Sequence, residues 1–196
     1  MKKRLSALVL LLAFSVFSLT GCGIVKVVKI GEEASLTGQT TFNADAESQD
    51  TWGAIVTEIT ANAKDLSQLD DSASAGTFAV SGTGKITAVN QESKKGTVTV
   101  AVDGYAGTKT INLQIGPVYS GTSLRDAQTT KAYSDFTNQG EWSSYALSLN
   151  ATADEKVVKP LAIDAGAVGK TVTFTGAYTA SAGGTILITP IALTIQ

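Results

Sequence analysis

The chain has 196 residues, a formal charge of −2, 43% hydrophobic and 16% charged residues, one cysteine and no histidine. The absence of histidine removes the usual general base near neutral pH, the commonest metal ligand and the commonest pH switch. A lone cysteine excludes an intrachain disulfide, so the fold must rest on packing. Beyond the first four residues the densest basic spot is Lys94-Lys95, which argues against nucleic acid as a partner, because phosphate backbones need clustered lysine and arginine.

Met1-Lys2-Lys3-Arg4 is followed by an apolar run from Leu5 to Leu19 and then by Thr20-Gly21-Cys22, the layout of a secretory leader. The fifteen apolar residues fall short of the ~20 needed to cross the hydrocarbon core. Leu19-Thr20-Gly21-Cys22 resembles the lipobox of bacterial lipoproteins. The resemblance implies cleavage between Gly21 and Cys22, a diacylglycerol thioether on Cys22 and acylation of its new amino group. Several acyl chains make such an anchor stable, since each buried methylene contributes ~0.8 kcal/mol and one chain is marginal. The expected location is the periplasmic side of a bacterial membrane. By the enteric rule in which aspartate after the cysteine retains a lipoprotein in the inner membrane, Gly23 favours the outer membrane. Loss of Lys2, Lys3 and Arg4 with the leader takes the formal charge to −5.

Residues 22–33 carry Ile24, Val25, Val27, Val28 and Ile30 and are expected to form a tether or lead-in strand. Residues 34–196 are enough for one domain with a proper core. Trp52, Ile55, Val56, Ile59, Ala63 and Leu66 recur at spacings of three and four, which predicts a helix opening at Asp50 as its cap and closing in the polar stretch from Asp70 to Gly76. Its polar face holds Glu58, Asp65 and Lys64, a poor match to anionic lipid, so the apolar face is expected to meet the core.

Beyond Gly76 the period falls to two. Thr77 to Val80, Lys85 to Val89, Thr97 to Val102 and Thr108 to Ile115 read as strands, with turns expected at Gly82 to Gly84, Ser93 to Gly96 and Asp103 to Gly107. Two closing strands, Thr171 to Thr179 and Thr185 to Ile195, meet across Ser181-Ala182-Gly183-Gly184, and Pro190 marks an edge or a bulge. Between the two sets of strands, Asn138 precedes a helical stretch with Trp142, Tyr145, Ala146 and Leu149 on one face. The fold class read from this order is mainly β with two or three helices (α+β): a small antiparallel, partly open barrel resembling the oligonucleotide/oligosaccharide-binding (OB) type, capped by an amphipathic helix.

Ser81-Gly82-Thr83-Gly84-Lys85 is not a phosphate loop, because Ala79 stands where the first glycine belongs and Ile86 where a magnesium-binding hydroxyl belongs. Asn150-Ala151-Thr152 matches a glycosylation acceptor only formally. The segment with the richest polar chemistry runs from Ile115 to Gln139. Arg125 offers a planar fork of donors, Asp126 and Asp135 offer acceptors, and Asn138 and Gln139 offer both, while Tyr119, Tyr133, Phe136 and Trp142 supply a stacking floor. Tyr119, Thr122, Arg125, Asp126, Asp135, Asn138 and Gln139 are the candidate ligand or partner loop. The same residues also read as a self-contained lock, with Arg125 on a carboxylate, Asn138 capping the following helix and the aromatics in the core.

G-P-V-x-x-G-T-x-x-R-D at Gly116 to Asp126 and D-F-T-N-Q at Asp135 to Gln139 resemble a family of predicted periplasmic lipoproteins of unknown function. The likeness extends to the lipobox, the Trp52 helix, the G-T-G at Gly82 to Gly84, Leu149-Asn150 and F-x-G-A-Y at Phe174 to Tyr178. Members of that family look to be encoded beside sugar ABC transporters. The resemblance therefore implies an accessory or binding role in carbohydrate uptake, with transporter components or a carbohydrate as partner. The residues themselves give no sign of a metal or organic cofactor, and the expected covalent group is the lipid on Cys22. Two other classes stay open: a structural envelope lipoprotein without a small-molecule ligand, and a glycosidase using Asp126 and Asp135 as its carboxylate pair.

Overall fold

The computed structural model describes residues 42–69 and 75–196. The leader, Gly21, Cys22, the lead-in over 22–33 and the helix-closing residues Asp70 to Ser74 lie outside the described residues. Among the described residues no helix is long and apolar enough to cross a membrane.

Helix α1 spans Ala44–Asn62. Its cap is Asn43, whose side chain accepts from Ala46 N at 3.0 Å, so the helix begins ahead of the expected Asp50. The apolar rhythm starts only at Trp52, and the first two turns show no stripe from which a start could be read. Asn43 satisfies the free first-turn amides instead. The helix stops at Asn62, and Leu66 belongs to a separate turn, Leu66–Gln68, where it is fully buried.

A two-residue strand β1, Lys64–Asp65, leads into β2 (Thr77–Asn90), β3 (Lys95–Val102) and β4 (Thr110–Pro117). A short helix α2 (Ser123–Asp126) and a longer α3 (Gln139–Ala153) follow. Strands β5 (Thr171–Thr179) and β6 (Thr185–Ile195) end the chain.

The sheet closes on itself in the order β2-β3-β4-β6-β5, because β2 also pairs with β5, while β1 adds a parallel edge to β2. The result is a mainly β barrel with helices outside it. The ring is closed rather than partly open, and its β4–β6 seam is parallel, from Thr110↔Thr185 to Leu113↔Ile188. Alternation could not show this, because a half-buried strand reads the same whichever way its neighbour runs.

Gly82 and Gly84 do not turn the chain. Strand β2 runs through them without interruption, giving its first part to β5 and its last part to β3. The reason for glycine is close approach: a Cβ at 82 would lie 2.9 Å from the Phe174 ring, and one at 84 would overlap the Ala101 carbonyl. Pro190 falls at a bulge, where pairing shifts between Thr175 and Gly176.

Val80, Ile86, Val98, Val100, Ile111, Leu113, Phe174 and Ile188 all bury within one hydrophobic core. Outside that core, Trp52, Ile55 and Ile59 of α1 and Tyr145, Ala146 and Leu149 of α3 are buried where the two helices pack. Polar bonds flank that contact: Ser148 Oγ donates to Asp45 Oδ1 at 2.6 Å, Ser48 and Thr152 share a hydroxyl bond at 3.0 Å, and Thr51 and Tyr145 share one at 2.7 Å.

Candidate functional site

Each of the seven loop residues singled out above has a partner within its own chain. Arg125 donates through Nε to Asp126 Oδ1 at 2.8 Å and pairs through Nη2 with the same oxygen at 2.7 Å. Its guanidinium lies 4.5 Å from the centre of the Trp142 ring, with Nη1 3.4 Å from the Trp142 carbonyl. Thr122 Oγ1 donates to Asp126 Oδ2 at 2.5 Å. Thr122, Arg125 and Asp126 are thus brought together on α2 and its leading turn.

The others serve local backbone. Asp135 Oδ2 accepts from Ala132 N at 2.9 Å. Asn138 Oδ1 accepts from Glu141 N at 3.0 Å and caps α3, while Glu141 Oε2 accepts from Thr137 N at 2.8 Å. Gln139 Nε2 reaches Ser143 Oγ at 3.4 Å on the exposed first turn. Of the aromatic floor, Phe136 is buried, Trp142 is half-buried beneath Arg125, and Tyr133 is 51% exposed with its ring edge-on to Trp142.

Tyr119 belongs to a different assembly. Its hydroxyl donates to Asp154 Oδ1 at 3.0 Å, across 35 residues of sequence. Burial pushes the phenol's pKa well above the ordinary tyrosine value, and the Asp154 charge and bond push it further. The hydroxyl therefore stays a donor. Gly116 makes room for the pair: a Cβ there would lie 2.6 Å from Tyr119 Cε2 and 2.7 Å from Asp154 Oδ1, and its φ of +60° is one that glycine adopts freely.

Asp154 forms part of the wall of a 250 Å³ cleft beside the end of β4. Its polar lining is Gln91, Asp154 and Lys159, and its apolar lining includes Ile115, Pro117, Val158 and Ile163. Gln91 Nε2 donates to the Ile163 carbonyl at 3.0 Å, which ties the β2–β3 turn to the far wall. Two backbone departures border the same space. Asp154–Val158 is a π-helical turn, a form frequent at functional sites. Ala162 has φ 44° and ψ 50°, the one non-glycine residue with positive φ among the described residues, a conformation that side chains adopt at a cost.

Gln91, Asp154 and Lys159 had no signal of their own in the sequence, since they come from a turn and from the end of a helix far away. The Gly116-Pro117 pair of the central motif was the only local pointer to this place.

The strand face that OB barrels use for oligomers is differently furnished. Along β3 and β4 it carries Thr97, Thr99 and Asn112, with Thr99 Oγ1 donating to Asn112 Oδ1 at 2.9 Å. Lys95 at the start of β3 is the one cation on these two strands, and neither strand carries an aromatic, unlike the stacking platform of a single-strand binder. Among the described residues no group of three or more acidic or cysteine side chains is positioned to hold a metal ion.

Comparison with known proteins agrees with this architecture. An OB-fold protein from Thermotoga maritima is similar in structure, with a TM-score of 0.57, 17% identity, and coverage of 80% of this chain and 100% of that one. At that identity the likeness establishes the fold alone. No curated protein matches the sequence. A family model described as predicted periplasmic lipoprotein (DUF2291) matches residues 11–194, nearly the whole length, and the chain belongs to that periplasmic lipoprotein family.

Proposed function

We propose that this periplasmic lipoprotein is a lipid-anchored accessory module that binds a small solute for a sugar ABC uptake system. The observation that carries the reading is the open 250 Å³ cleft, whose wall sets the side chains of Gln91, Asp154 and Lys159 beside Ile115, Pro117, Val158 and Ile163, apolar surface with a few polar groups as small-molecule sites require. The anchor is the lipid on Cys22, and Gly23 behind it supports the outer membrane. The protein acts without cofactor and without turnover. Asp126 has both oxygens occupied by donors from its own loop, and Asp135 accepts from Ala132 N, arrangements suited to fixing a loop rather than to proton transfer.

Uptake of labelled monosaccharides at limiting concentration tests the reading. Cells lacking the protein are expected to take up one or a few sugars more slowly, with the rate restored by the wild-type chain and not by Cys22→Ala. Unchanged uptake across the sugars tested would overturn it. Glycan hydrolysis that disappears in Asp126→Asn would overturn the non-catalytic part.

A second reading, a structural envelope lipoprotein, is favoured by one observation: every residue of the Tyr119 to Gln139 loop set is bonded within the chain. Unchanged uptake together with weakened envelope integrity in the deletion strain would favour it.

A further inference from the structure

The cleft's chemistry narrows the ligand. Asp154 and Lys159 are its two ionisable lining residues, and their formal charges cancel. Tyr119 occupies Asp154 Oδ1, which leaves Oδ2 as an acceptor without a partner among the described residues. Lys159 Nζ likewise has no partner among the described residues, and Gln91 spends one of its two amide N–H groups on Ile163, which leaves the other and its oxygen available. Donors on Lys159 and Gln91 and acceptors on Asp154 and Gln91 therefore border a space walled by Ile115, Pro117, Val158 and Ile163.

A hydroxyl group both donates and accepts, so a row of hydroxyls satisfies all three side chains without bringing charge into the cleft. An anion would meet Asp154, a cation would meet Lys159, and a zwitterion would have to give up the hydration of two full charges. At 250 Å³ the space lies just under the roughly 300–1,000 Å³ of drug-sized sites, which suits one ring rather than a chain of rings. The carbon faces of such a ring match the apolar walls.

Building on the solute-binding reading above, we infer that this cleft binds a single neutral polyhydroxylated ring, with Asp154 and Gln91 accepting from its hydroxyls and Lys159 donating to them. The site is separate from the Arg125 loop and owes its shape to the Gly116, Tyr119 and Asp154 unit.

Calorimetric titration of the full chain in detergent tests this, with glucose, galactose and xylose as neutral probes, their uronates and glucosamine as charged ones, and alanine and glutamine as zwitterions. The wild type is expected to prefer a neutral sugar. Lys159→Met, on an exposed side chain, is expected to weaken that binding at least tenfold. Asp154→Asn leaves the cleft with net positive charge and is expected to move the preference from the neutral sugar to its uronate. Should Asp154→Asn fail to fold, Lys159→Glu tests the same logic in the opposite sense, moving the preference to glucosamine. A wild type that prefers a uronate, glucosamine or an amino acid overturns the inference, as does binding that both variants leave unchanged. No binding of any probe overturns it too, while the uptake measurement decides separately on the broader reading.

Discussion

The α-carbon of Gly84 faces the carbonyl of Ala101 so closely that a side-chain carbon on it would overlap that oxygen. The pair marks where β2 passes from its β5 partner to its β3 partner, with Gly84 paired to both Val172 and Val102. A methyl group there has no soft side chain to displace, only backbone. Gly84→Ala is therefore expected to destabilise the barrel by about 2–4 kcal/mol, in the range of severe overpacking. Gly53→Ala is the matched control, in the exposed middle of α1 with nothing within 4 Å of the added carbon, and should stabilise by about 0.5–1 kcal/mol. Urea denaturation of both variants reads the two signs.

Glu58 of α1 accepts from both Thr129 and Thr130, at 2.6 and 2.8 Å from the amide and hydroxyl of the first and at 3.1 and 2.8 Å from those of the second. Burial alone would raise its pKa, but these four donors together hold it below the ordinary glutamate value of 4.5. A depressed folded pKa gives stability that is fully present above 4.5 and is lost as pH falls through the folded value. Melting temperature measured from pH 7 to pH 3 should fall less steeply below pH 4.5 in Glu58→Gln than in the wild type. Equal slopes would show that the latch contributes nothing.

Arg125 holds its loop by a fork on Asp126 and by stacking on Trp142. Lysine keeps the charge but neither the planar fork nor the flat face. Arg125→Lys is expected to cost about 1–2 kcal/mol, the sum of a partly buried ion pair and a cation–π contact, and to alter tryptophan emission. The same variant should leave solute affinity unchanged, because the cleft lining does not include Arg125. Loss of affinity in a still-folded Arg125→Lys protein would return the loop to candidacy as a ligand site.

Asn138 and Gln139 are neighbours with unequal roles. Asn138 caps α3, and Asn138→Ala should cost about 1 kcal/mol. Gln139 makes one long bond to Ser143 on the exposed first turn, and Gln139→Ala should stay within roughly 0.5 kcal/mol of wild type. Chemical denaturation of the pair separates the cap from the bystander.

Much of the fold was legible because its signals are local. Alternation at Thr97 to Val102 places Val98 and Val100 inside and Thr97 and Thr99 towards solvent, and the observed burial follows it. Asn138 before Trp142, Tyr145, Ala146 and Leu149 located α3, and Tyr145, Ala146 and Leu149 are buried where the spacing put them while Trp142 is half-buried. Asn43 was missed because the first two turns of α1 bury only Ser48, so no apolar repeat announces the start.

By itself the sequence determined the kinds of element, the exclusion of histidine chemistry and the general barrel class, since each depends on residues a few positions apart or on composition alone. Only the tertiary structure decided the rest. Gly82 and Gly84 look like turn residues until Phe174 and Ala101 are seen against them. The parallel β4–β6 seam joins strands that no local pattern links. Tyr119 finds Asp154 rather than its neighbours in the loop, and Gln91, Asp154 and Lys159 meet around one cleft from separate stretches of chain. Period and capping are fixed by the bonds within one element, whereas close approach and site assembly are fixed by which elements the closed barrel forces together.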